Sequence, residues 1–89
     1  MWCRKRIETR ADGLTYETWT RRNLLHRKDG PAEIETSGSG RLSYQAWWQN
    51  GMLHRTDGPA LVIYADDGSV HDVRWFVNGE EVNNERIAI

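Results

Sequence analysis

Apolar and polar residues alternate along this chain in short runs, none longer than one β-strand. Runs rich in β-branched and aromatic residues cover 2–8, 14–21, 32–36, 41–49, 59–64 and 69–77, separated by Gly, Asn, Asp and Ser. Side chains alternate across a strand, so each run divides into two faces. Ala32, Ile34 and Thr36 share one face, with Glu33 and Glu35 opposite. Ala60, Val62 and Tyr64 share the corresponding face, with Leu61 and Ile63 opposite. Val73, Trp75 and Val77 oppose Phe76, and Trp47 opposes Tyr44, Ala46 and Trp48. Asn50-Gly51 and Asn78-Gly79 suit two-residue hairpin turns, which need positive φ at both central positions. Arg22-Asn23 occupies the same place earlier in the chain. Ser37–Gly40 and Ala65–Gly68 read as longer turns, with Thr9–Gly13 their counterpart near the start. Helical periodicity is confined to a short piece around Asn84–Ile87. The predicted fold is all-β: an antiparallel meander of repeated β-hairpins with about six to eight short strands in a single sheet.

The order behind this pattern is an internal repeat. Leu25-His26-Arg27-Lys28-Asp29-Gly30-Pro31-Ala32 returns as Leu53-His54-Arg55-Thr56-Asp57-Gly58-Pro59-Ala60, identical at every position except Lys28/Thr56. The offset of 28 also relates Trp19, Trp47 and Trp75. The chain is read as one domain, 1–89, with repeats at 19–46 and 47–74 and a truncated third unit at 75–83. The recurring Trp face is the expected main core. Tyr44, Trp48, Leu61, Ile63 and Phe76 form a second apolar set on the reverse. A terminal segment such as Ile87-Ala88-Ile89, the first strand, a second copy in a homodimer, or another molecule would have to cover it.

At 89 residues the chain allows one small domain with a thin core. There is no apolar run of membrane-spanning length and no signal-peptide pattern. Cys3 is the lone cysteine, so no disulfide framework is expected and a reducing, cytoplasmic setting is inferred. Net charge is -1, but it is unevenly placed. Residues 1–28 carry eight basic and three acidic groups, a balance of +5; the remaining four basic and ten acidic groups give -6. Arg4, Lys5, Arg6, Arg21 and Arg22 therefore form a candidate contact for an anionic partner.

His26 and His54 are the residues most like an acid–base pair or metal ligands. Each recurs with the repeat, which assigns them, with Asp29, Asp57, Gly30 and Gly58, to holding the turns of their units. Asp29 and Asp57 are expected to cap the Gly-Pro turn through Asx-type bonds. No Cys pair or His-x3–5-His is present, no glycine opens a phosphate-cradling helix, and no Ser sits in a nucleophile motif. No catalytic residue, cofactor or metal is therefore expected. Trp2, Arg4, Arg6, Arg10, Tyr16, Arg21 and Arg22 interleave aromatic and basic groups, as nucleic-acid-binding sheets do.

The Leu-His-Arg-x-Asp-Gly-Pro-Ala block, with the Gly turn and Trp-x-x-Asn-Gly that follow it, resembles variant MORN-like repeats of bacterial, phage and large-virus proteins. The resemblance covers 19–79. The period of 28 is longer than the usual MORN length of about 23, and Glu80-Glu81-Val82-Asn83 replaces the block in the last unit. It implies a single-layer hairpin scaffold used for interaction rather than catalysis. The function expected is a non-enzymatic protein-binding module, a phage or mobile-element accessory protein that binds and inhibits a host or defence protein. Tyr44, Trp48, Leu61, Ile63 and Phe76 are its expected apolar contact. The alternative is a nucleic-acid-binding sheet using the Arg-rich N-terminal strands.

Overall fold

The structure, a computed structural model, describes residues 3–82. The expected Asn84–Ile87 piece, the Ile87–Ile89 cover and Trp2 lie outside the described residues. Ten strands run in chain order: β1 (Arg4–Thr9), β2 (Thr15–Arg21), β3 (Leu24–Leu25), β4 (Glu33–Thr36), β5 (Leu42–Ala46), β6 (Trp48–Gln49), β7 (Met52–Leu53), β8 (Leu61–Tyr64), β9 (Val70–Val77) and β10 (Glu80–Val82). No helix occurs among the described residues. The main sheet has the order β1-β2-β4-β5-β8-β9-β10, with β3 on the end of β2, and β6 and β7 pair apart from it. Every pairing is antiparallel. The all-β meander read from the sequence is the fold. The run 41–49 splits at Trp47, where the chain leaves the main sheet to form the β6–β7 hairpin.

Two kinds of hairpin alternate. Long ones (β1–β2, β4–β5, β8–β9) close through one repeated turn. In it Arg10, Ser37 and Ala65 each accept from a glycine N–H three residues on, Gly13, Gly40 and Gly68, at 2.9 Å. Those glycines have φ of 88–89°, a region side chains rarely adopt. Short hairpins (β2–β3, β6–β7, β9–β10) turn at Arg22-Asn23, Asn50-Gly51 and Asn78-Gly79, all with positive φ. The physical unit is thus one long hairpin followed by one short hairpin, occurring three times. Counting from Trp to Trp instead joins each short hairpin to the long hairpin that follows it.

The Leu-His-Arg block joins each unit to the next. The Gly51 N–H donates to Leu25 O at 2.9 Å, and the Arg27 N–H to Trp48 O at 3.0 Å. One unit later, the Gly79 N–H donates to Leu53 O at 2.8 Å and the Arg55 N–H to Phe76 O at 3.0 Å. His26 Nδ1 accepts the Asn50 N–H and His54 Nδ1 the Asn78 N–H, both at 3.0 Å. Each imidazole therefore pins the short turn of the following unit.

The core departs from expectation. Trp19, Trp47 and Trp75 are only half-buried. Among the described residues the buried hydrophobic ones are Ala32, Ala46, Ala60 and Val62, and no large side chain is fully buried. The smallest dimension of the molecule is 17 Å, room for one sheet and the side chains on its two faces. With no second layer among the described residues, Trp19 and Trp47 are covered by the chain's own cations. The Arg27 guanidinium lies 4.1 Å from the centre of Trp19, and that of Arg55 lies 4.0 Å from Trp47. Arg27 and Arg55 also donate to Pro31 O and Pro59 O.

Gly30 and Gly58 make room for these stacks. A Cβ on Gly58 would lie 2.7 Å from Arg55 Cζ. Gly58→Ala is expected to push Arg55 off Trp47 and cost about 1–2 kcal/mol. A thermal melt, with Trp fluorescence reporting the lost stack, checks this; an unchanged Tm would show that Arg55 moves aside without loss.

The Asx bonds also fall elsewhere than expected. Asp57 accepts from Arg55 Nε at 2.9 Å, a bond that holds its carboxyl below the usual range. The side chains that cap backbone N–H groups two residues on are Asp12, to Leu14, and Asp67, to Ser69. The reason is competition: a guanidinium two residues away is a stronger partner than a turn amide.

Candidate interaction site

Directly paired residues share a face, so the register assigns the surfaces. One face carries the row Arg6, Thr18, Glu33, Ala46, Leu61, Arg74 and the row Glu8, Tyr16, Glu35, Tyr44, Ile63, Asp72. Tyr44 pairs directly with Ile63. Trp48 joins them through its bond to Glu33, and Phe76 lies two residues beyond Arg74 on the same strand. Tyr44, Trp48, Leu61, Ile63 and Phe76 are thus brought to one face, all half-buried.

This surface is organised by a residue that the sequence reading left as a plain outward glutamate. Glu33 is buried. It accepts the Trp48 Nε1–H at 2.7 Å, the Tyr44 hydroxyl at 2.9 Å, and the Tyr16 hydroxyl. Burial first, then the bond to Glu33, holds the Tyr16 phenol well above its ordinary range. Burial first, then the charge of Glu33, does the same for Tyr44. Both phenols stay protonated and stay donors. Among buried side-chain polar atoms of the described residues, none lacks a partner. Tyr44 and Trp48 consequently present ring edges and faces outward while their polar tips are tied down. The signal in the sequence was positional: Glu33 stands where the next unit has Leu61, a charge in an apolar slot of the repeat.

The five basic residues divide. Arg4, Arg21 and Arg22 line a cleft of about 420 Å³ with Cys3, Thr20 and Asn23. Lys5 instead faces Glu17 at 4.0 Å, and Arg6 faces Glu8 at 3.2 Å. A second cleft, of about 390 Å³, shares Cys3 and Arg21 and adds Trp19, His26, Arg27, Lys28 and Asp29. His54 lines a different cleft of about 510 Å³ with Trp47, Arg55 and Asp57. The two imidazoles line different clefts, which share Lys28 and Asp29. Among the described residues no group of three or more His, Cys, Asp or Glu could hold a metal ion, and no helix is long and apolar enough to cross a membrane.

No protein-family model matches this chain, and no curated protein or solved structure shows significant similarity to it.

Proposed function

We propose that this chain is a non-enzymatic protein-binding module, and that the face bearing Tyr44, Trp48, Leu61, Ile63 and Phe76 is its contact surface. The observation that carries this is the clustering of five half-buried apolar and aromatic side chains on one face of a single-layer sheet. Aromatic anchors held rigid by a partner such as Glu33 lose little side-chain freedom on association, which favours binding. The edges of that face carry Arg6, Glu8, Asp72 and Arg74, charged groups of the kind that rim interfaces. The imidazoles support the non-enzymatic part of the reading, since each has one nitrogen committed to a backbone N–H. The MORN-like resemblance points the same way and makes a host or defence protein the proposed partner.

The test is capture from nuclease-treated bacterial lysate by tagged protein, with an Ile63→Thr/Phe76→Thr variant as control. Thr keeps strand preference while removing apolar area. A stoichiometric protein held by the wild type and lost from the variant, with Tm kept within a few degrees, is the expected result. Capture that disappears on nuclease treatment, or that the variant retains, overturns the assignment of this face.

A further inference from the structure

We propose that the end of the sheet formed by the first hairpin unit is a second docking site, which receives an acidic protein segment on Arg4, Arg21, Arg22 and Lys28. This deepens the protein-binding reading and rests on it. The two adjoining clefts at this end share Cys3 and Arg21, and Asp29 is the one carboxylate lining either of them. None of the four cations forms an ion pair among the described residues, whereas Lys5, Arg6, Arg10, Arg27, Arg55 and Arg74 each do.

The repeat supplies an internal control. At the positions of Arg21, Arg22 and Lys28 the second unit has Gln49, Asn50 and Thr56, and the third has Val77 and Asn78 at the first two. The fold therefore needs no cation there. Arg22 even sits at φ 54°, where the other units place Asn at φ 50°. A left-handed backbone favours Asn over Arg, so the first unit accepts strain to hold a guanidinium at its turn tip. Four unneutralised cations around a concave end select an anionic partner.

The choice between carboxylates and a nucleic-acid backbone turns on Trp19. Its ring is flanked by Arg27 at 4.1 Å and Lys5 at 5.6 Å, so it is no open platform for a base. Charge without an open stacking surface at this end among the described residues fits an acidic peptide.

The experiment is fluorescence anisotropy of a labelled oligo-glutamate peptide of about ten residues at low salt, beside an oligo-thymidylate of equal charge. The variant is Arg21→Gln/Arg22→Asn/Lys28→Thr, which installs the second unit's own residues and is expected to melt no lower than wild type. The wild type is expected to bind the peptide, the variant at least about tenfold more weakly, and about 200 mM salt to abolish binding. No peptide binding by the wild type at low salt overturns the proposal, as does undiminished binding by the variant. Tighter binding of oligo-thymidylate than of peptide overturns it in favour of a phosphate backbone. The Ile63→Thr/Phe76→Thr variant is expected to keep full peptide affinity, so failure here and failure of the apolar face are told apart.

Discussion

Glu33→Ala is expected to destabilise the protein by about 3–5 kcal/mol, the largest effect of any single substitution considered. One carboxylate accepts three donors, from Tyr16, Tyr44 and Trp48, which come from three different strands of the first two units. Removing it leaves two hydroxyls and an indole N–H without their partner in a half-buried site. A domain of this size has only about 5–10 kcal/mol of stability to lose, so the variant would stand near its unfolding threshold at room temperature. Each kcal/mol corresponds to about 4–8 °C in Tm for such a domain. Glu33→Leu separates the charge from the volume, because Leu61 fills the equivalent slot in the next unit. It should recover packing but still lose about 2–3 kcal/mol to the unpaired donors. Adding Tyr16→Phe and Tyr44→Phe to Glu33→Leu should then restore part of that loss. Denaturant midpoints for the series check this. If Glu33→Ala costs under about 1 kcal/mol, the carboxylate is replaced by water and does not organise the face.

The hairpin architecture was legible because it rests on local backbone chemistry. Asn-Gly at 50–51 and 78–79 sets a left-handed turn whatever lies around it, and the Leu-His-Arg-x-Asp-Gly-Pro-Ala block announces its own recurrence. The clustering of Tyr44, Leu61 and Ile63 on one face followed from simple alternation. Three things were hidden. The role of Glu33 depends on Tyr16 and Trp48, which lie 17 and 15 residues away, and alternation gives the face of a residue but not its partners. The half-buried state of the tryptophans followed from there being no second layer, and an apolar pattern alone reads as though one existed. The split of the basic residues came from their neighbours. Glu17 and Glu8 engage Lys5 and Arg6, while Arg21, Arg22 and Lys28 find no carboxylate among the described residues, which charge counting along the chain cannot resolve.

The His26 link makes stability depend on pH, with a sign that follows from its geometry. Nδ1 of His26 accepts a hydrogen bond, so the ring must be unprotonated there; a proton on Nδ1 would face the Asn50 N–H. Burial first, then the charges of Arg21 and Lys28, holds this imidazole below its ordinary value of 6.5. The unfolded chain therefore takes up a proton at a pH where the folded chain does not. Stability is fully present above about 6.5 and is lost as pH falls through the window between the unfolded and folded values. The paired carboxyls of Asp57 and Asp67 are held below their usual range and act only at lower pH, so the two effects separate. His26→Ala is expected to cost about 2–3 kcal/mol at pH 7.5, through the orphaned Asn50 N–H and the vacated buried volume. It should also flatten the loss as pH falls below about 6.5. His54→Ala, at a more exposed joint, should cost about 1 kcal/mol. Denaturant midpoints across that range decide the matter: equal slopes for wild type and His26→Ala would remove the imidazole from the joint. The same measurement reaches the basic end of the sheet. Arg21→Gln with Lys28→Thr removes the two cations that oppose protonation of His26, so its folded value rises and the acid loss shrinks. An NMR titration of the His26 ring reads that shift directly.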